Sequence, residues 1–196
     1  MSMPPEVPEL VTRALRASLS QGFVESTRTE TGRLLAALAA TRQGTIAECG
    51  TGCGVGAAWL RSGAPAGTRV VTAETDPQLA ECAQRVFATD DIEVFEADWT
   101  KLESLAPFSL LFLDAGAAKR AEREQLIDLV TEGGIIVIDD LVPCASWPPC
   151  DRSGVNTRRQ DWLSDPRLAS VETMVAPDTA VLVAVRRSAP VSSPVG

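Results

Sequence analysis

The run Thr45-Ile46-Ala47-Glu48-Cys49, followed at once by Gly50-Thr51-Gly52-Cys53-Gly54, constrains this chain more than any other stretch. A short apolar run that stops at glycines reads as a buried strand entering a sharp turn. Gly54 to Arg61 then reads as a helix. Strand, glycine turn and helix in this order point to an α/β fold. In open α/β sheets, ligands bind beyond the carboxyl ends of the strands. The turn is therefore a candidate ligand site, since glycine lets the backbone bend sharply and approach a ligand closely.

The rest of the chain repeats the alternation. Arg69–Glu74, Ile92–Phe95, Phe108–Leu113 and Gly134–Ile138 read as strands, and Pro77–Phe87 and Ala121–Val130 as helices. Asp76 is placed to cap the second of these helices, with Pro77 at its first position. Strands that read as continuous apolar runs imply a parallel sheet covered on both faces, wound by right-handed crossovers. Leu168–Val175 and Thr179–Arg186, joined by Ala176-Pro177-Asp178, break the pattern and predict an antiparallel hairpin. Before the first strand, residues 7–20 and 29–41 have helical spacing, and Thr29 or Thr31 could cap the second. The expected organisation is one domain over residues 1–187, with N-terminal helices in 1–42 and an α/β core in 43–187. The tail 188–196, rich in Ser, Pro and Val, is expected to be disordered.

Composition narrows the function. With 26 acidic against 18 basic residues, the net charge of -8 argues against general nucleic-acid binding. Arg152, Arg158, Arg159 and Arg167 crowd one segment, which reads as a solvated helix face. No apolar run approaches the length of a membrane span, and Met1 to Pro8 does not resemble a signal peptide, so the expected location is the cytoplasm. The five cysteines (Cys49, Cys53, Cys82, Cys144, Cys150) form no CxxC pair, and the chain has no histidine. Buried free thiols are expected rather than a zinc site, and Ser-His-Asp or Cys-His catalysis is excluded.

Two acidic groups follow the glycine turn. Glu74 ends the second strand, twenty residues beyond Gly54, where a carboxylate can accept ribose hydroxyls. Thr75 stands beside it. After the third strand, Asp98 can accept an adenine amino group and Trp99 can lie against the ring. Asp98 also reads as a helix cap, and Trp99 as core. Gly52, Gly54 and Ala57 satisfy the dinucleotide pattern as well, so NAD and S-adenosylmethionine (SAM) suit these residues equally.

The segments Gly32, Ala47–Gly54, Glu74, Asp98, Phe112–Ala115 and Gly133–Asp140, in this order and spacing, resemble the class I O-methyltransferases related to catechol O-methyltransferase, the small bacterial members above all. The resemblance covers about residues 20 to 186. It implies a Rossmann-like methyltransferase fold: a doubly wound, mostly parallel seven-stranded sheet ending in an antiparallel hairpin. By the same resemblance, Ser26 and Thr27, with Glu48 and Gly50, border the methionine part of SAM. Gly52 and Gly54 lie under the nucleoside, Glu74 holds the ribose, and Asp98 reaches adenine. The implied activity is methyl transfer to a small-molecule hydroxyl. Members are often homodimers, which the helix at 7–20 could serve.

The resemblance also implies a divalent cation, magnesium or another, held by Asp114, Asp139 and Asp140. Two departures stand out: Asp140 replaces the family's Asn, and the family's lysine base, three residues after the strand-four aspartate, is Ala117 here. The nearest lysine is Lys119, a candidate base or a surface residue. Asp114 and Lys119 are the candidate catalytic pair. The loop Leu141–Asn156 could cover a substrate, with Trp147 as an apolar wall, while Trp162 reads as core. Two other functions compete: an NAD-dependent oxidoreductase, which the lack of tyrosine disfavours, and a SAM- or nucleotide-binding protein without turnover.

Overall fold

The computed structural model describes residues 6–151 and 154–188. Met1–Pro5, Arg152 and the tail from residue 189 onward, on which some of the above expectations fall, lie outside the described residues. Two helices lead: α1 (Glu9–Gln21), closed by Gly22 in the left-handed region, and α2 (Thr29–Ala39). The core follows as β1 (Thr45–Cys49), α3 (Val55–Gly63), β2 (Arg69–Glu74), α4 (Pro77–Val86), β3 (Ile92–Glu96), a 3₁₀ helix (Trp99–Leu105), β4 (Phe108–Leu113), α5 (Gly116–Lys119), α6 (Arg123–Asp128) and β5 (Val130–Leu141). A short ribbon β6 (Cys150–Asp151) and β7 (Gly154–Val155), helix α7 (Thr157–Ser164), and the hairpin β8 (Leu168–Ala176) and β9 (Thr179–Arg186) complete it.

The seven-stranded sheet has the order β3-β2-β1-β4-β5-β9-β8. Strands β1 to β5 pair in parallel, and β9 runs antiparallel to both β5 and β8. Alternation along the strands sorts the side chains onto two faces. Ile46, Leu110, Phe112 and Val137 pack with Val11, Leu35 and Leu60 under α1, α2 and α3. Ala47, Leu111, Leu113 and Ile136 pack with Leu102, Leu126 and Trp162 on the other side. Each fully buried Leu, Ile or Phe contributes about 1.5–3 kcal/mol, so both layers are needed to hold the sheet. Trp162 is core, as expected.

Three expectations need correction. The helix expected over 121–130 is only α6, because the Leu129 carbonyl accepts from Phe108 N at 2.8 Å and Val130 already pairs with Phe108. The basic segment is a solvated face only in part: Arg158 is exposed, but Arg159 is 5% exposed, paired with Glu172, and donates to Val142 O at 2.8 Å. Arg167 is neutralised by Asp165 and Glu124. All five cysteines are free, but Cys150 is exposed and Cys144 half-buried. The ribbon β6–β7 was not expected at all. No helix among the described residues is long and apolar enough to cross a membrane.

Candidate functional site

Strand β1 lies between β2 and β4, so the chain winds away from it in both directions. Where the winding reverses, the connecting loops separate and leave a crevice at the carboxyl ends of the strands. A cavity of about 300 Å³ occupies this place. The glycine turn after β1 forms its floor. Gly50, Gly52 and Gly54 have φ of 103°, 52° and 92°. A Cβ on Gly50 would lie 2.6 Å from Ala115 N, so side chains are excluded there on two counts. Phe23 and Thr27, from the α1–α2 connection, close the cavity from above.

One end of the cavity is built from main-chain contacts. Glu74 Oε2 accepts from Gly52 N at 2.8 Å, and Oε1 accepts from Asp76 N at 3.0 Å. Asp98 Oδ1 accepts from Thr100 N at 3.0 Å and from Thr100 Oγ1 at 2.8 Å, capping the 3₁₀ helix. Asp98 thus caps and also faces the cavity, and Trp99 is both in the core and on the wall. Thr75 and Ala97 complete this end.

The other end is built from side chains. Asp114 follows β4 with its side chain 19% exposed. Lys119, the last residue of α5, donates from Nζ to Asp114 Oδ1 at 3.3 Å and to Asp140 Oδ2 at 2.8 Å. Thr27 Oγ1 stands 3.5 Å from Asp114 Oδ2. Burial pushes the Asp114 carboxyl up to about 6, against the pull of the Lys119 ammonium. Asp140 has φ of 61°, the one positive value at a non-glycine residue among those described. That conformation turns its carboxylate outward to Lys119, while its neighbour Asp139 points inward. Asp139 is 2% exposed and accepts from Thr31 Oγ1 at 3.2 Å. Burial raises its pKa as well. Thr31 therefore anchors α2 to the end of β5 and caps no helix, and the N-cap position of α2 is Arg28. Arg28 in turn makes a two-pronged pair with Asp178 in the hairpin turn, both contacts at 2.9 Å, which ties the rim of the cavity to β8 and β9.

Residues 47–141, which hold the glycine turn, Glu74, Asp98, Asp114 and Lys119, match the family described as methyltransferase domain. The family match covers just under half of the chain.

A catechol O-methyltransferase from Mycobacterium tuberculosis is 36% identical over 120 residues, 57% of this chain and 54% of that protein. The match thus spans about half the length of that relative. An O-methyltransferase from Bacillus cereus in complex with S-adenosylhomocysteine (SAH) superposes with a TM-score of 0.72 at 20% identity, covering 92% of each chain. The O-methyltransferase TomG from Streptomyces achromogenes, involved in tomaymycin synthesis and solved with SAM, superposes at 0.74 with 22% identity over 93% of this chain and 92% of that one. The likeness in fold to these two methyltransferases thus extends over nearly the whole chain.

Within the matched stretch, Gly50, Gly52, Glu74, Thr75, Asp98, Trp99, Asp114 and Asp140 face the cavity. Thr27 joins them from outside the domain match. Glu48, Gly54, Asp139 and Lys119 do not face it. Alternation along β1 sends Glu48 to the helical face beneath α3, not to the loop side. There it is fully buried, accepts from Thr72 Oγ1 at 2.7 Å, and would meet a Cβ on Gly56 at 2.0 Å. Burial raises its pKa well above the ordinary carboxyl value. Trp147 is 65% exposed and stands off the cavity, so it forms no wall. Phe23, Glu25 and Leu79 do line it and had no motif to announce them. Phe23 and Glu25 follow the helix stop at Gly22, and only the packing of α1 and α2 brings them here.

Proposed function

We propose that the chain is a SAM-dependent methyltransferase acting on a hydroxyl oxygen of a small molecule. One observation carries the reading: a single cavity joins the main-chain-held carboxylates Glu74 and Asp98 to Asp114 and Asp140. The glycine floor accepts a ligand at van der Waals distance from the backbone. Glu74, with both oxygens already oriented by N–H groups, would take the ribose hydroxyls, and Asp98 would take the adenine amino group through Oδ2, beside Trp99. Thr27 and Gly50 would flank the methionine part. When bound, SAM supplies an electrophilic methyl group on a sulfonium.

The protein must then hold an acceptor oxygen in line with that methyl and remove its proton. Asp114 is the group placed to do so. It faces the cavity, and a carboxyl titrating at about 6 is mostly ionised at neutral pH yet more basic than an exposed one. The new C–O bond forms as the S–CH3 bond breaks, its electron pair stays on sulfur, and the hydroxyl proton passes to Asp114.

The divalent cation that the resemblance implies does not fit this donor set. Asp139 is turned into the core toward Thr31, and an ammonium lies between the other two carboxylates. Among the described residues, no three His, Cys, Asp or Glu side chains are grouped to hold a metal ion. No step is therefore routed through a metal, and the acceptor need not be a catechol, whose paired oxygens suit chelation. Phenols with a single hydroxyl belong in the substrate panel. A homodimer would use Leu19 and Val24, exposed at 76% and 87% beside the rim. Sedimentation at two concentrations tests it.

The decisive experiment is calorimetric titration of SAH into the wild type and Glu74→Ala, followed by transfer of labelled methyl from SAM to the panel. Binding at one site that weakens in the variant, with label appearing in a product, supports the reading. Binding of NAD in place of SAH would overturn it.

A further inference from the structure

We infer that Lys119 is a built-in cation: its ammonium occupies the place between Asp114 and Asp140 that a divalent ion would take, and the site works without a metal. The inference rests on the methyl-transfer reading above and deepens it. Four observations converge. Lys119 Nζ contacts carboxylates from two different strand ends, at 3.3 and 2.8 Å. Its side chain is 20% exposed, so the ammonium is drawn in under the loop. Asp140 adopts φ of 61°, and its carboxylate accepts from the lysine. Asp139, the third would-be ligand, is held in the core by Thr31.

The chemistry is consistent. Magnesium needs an octahedron of oxygens at about 2.1 Å, several of them water. An ammonium between two carboxylates satisfies them by charge-assisted hydrogen bonds and offsets half of the negative charge that would attract such an ion. Lys119 does not face the cavity, so it is a positioning residue: it fixes Asp114 and Asp140 and offsets part of their charge. Its place two residues later than the position now held by Ala117 matters for this role. From the end of α5 the side chain reaches the carboxylates at the ends of β4 and β5 and does not line the cavity.

The test compares wild type, Lys119→Met and Lys119→Arg, each checked for folding by circular dichroism and for SAH binding by calorimetry. Manganese binding is read by electron paramagnetic resonance, which needs no turnover. The wild type and Lys119→Arg should show no stoichiometric manganese site, and chelator should leave wild-type turnover unchanged. Lys119→Met should gain one site, with affinity raised about tenfold or more by the loss of the competing charge. A wild-type site that disappears in Asp114→Asn would overturn the inference. So would a Lys119→Met variant as indifferent to manganese as the wild type, since something other than the ammonium would then exclude the ion. Failure of SAH to bind any of the three would instead count against the methyl-transfer reading.

Discussion

The two ends of the cavity hold similar carboxylates by different means. At the nucleoside end, Glu74 and Asp98 are oriented by backbone N–H groups of Gly52, Asp76 and Thr100. At the reacting end, Asp114, Asp139 and Asp140 are oriented by the side chains of Thr27, Thr31 and Lys119. A main-chain donor is supplied by the fold whatever the residue, and it persists through most substitutions. A side-chain donor is lost when one residue changes. The geometry of the first end is therefore robust to substitution, and that of the second depends on three side chains.

The comparison can be broken most sharply at Asp114. Asp114→Asn keeps the shape and removes the proposed proton acceptor, so turnover should fall by about 10²–10⁴-fold, while SAH affinity changes less than about threefold. Equal losses in both would mean that the two ends are not separable. Glu74→Ala should do the reverse, weakening SAH about 10- to 100-fold, the loss expected for charged hydrogen bonds to two hydroxyls. Gly50→Ala tests the floor: a side chain at φ of 103° against Ala115 N should cost about 1–3 kcal/mol in chemical denaturation.

The pH profile sharpens the distinction further. Burial raises Asp114 to about 6, so the carboxylate form is lost as pH falls through that value. Turnover at saturating SAM should decline below about pH 6, and SAH binding should not follow it. The smallest effect concerns Glu48. Its folded pKa lies well above its unfolded value of about 4.5, so the native state binds the extra proton. Stability should therefore fall as pH rises above 4.5 toward the folded value. Glu48→Gln should flatten that part of the stability profile, read by thermal unfolding across the range.

Much of the architecture was legible because its signals are local. The runs at 45–49 and 108–113, the cap at Asp76 and the two strands around Pro177-Asp178 each declare themselves within a few residues. The early start of β5 did not, because Val130 is drawn into the sheet by Phe108, twenty-two positions away. Arg159 read as surface because its partner, Glu172, belongs to another element. The same division runs through the site. Glu74 and Asp98 follow strand ends and are placed by motif and spacing. The face on which Glu48 emerges depends on the phase of β1, and the pairing of Lys119 with Asp140 depends on a backbone angle that no motif encodes.

The tie between Arg28 and Asp178 bears on ligand traffic. The rim segment that carries Phe23, Glu25 and Thr27 is fastened to the far hairpin by a pair whose members are 49% and 67% exposed. Such a fastening is screened by salt and is worth little on its own. The cavity is thus latched at its outer edge by a contact that ions in solution loosen, so the residence time of a bound molecule becomes a function of ionic strength.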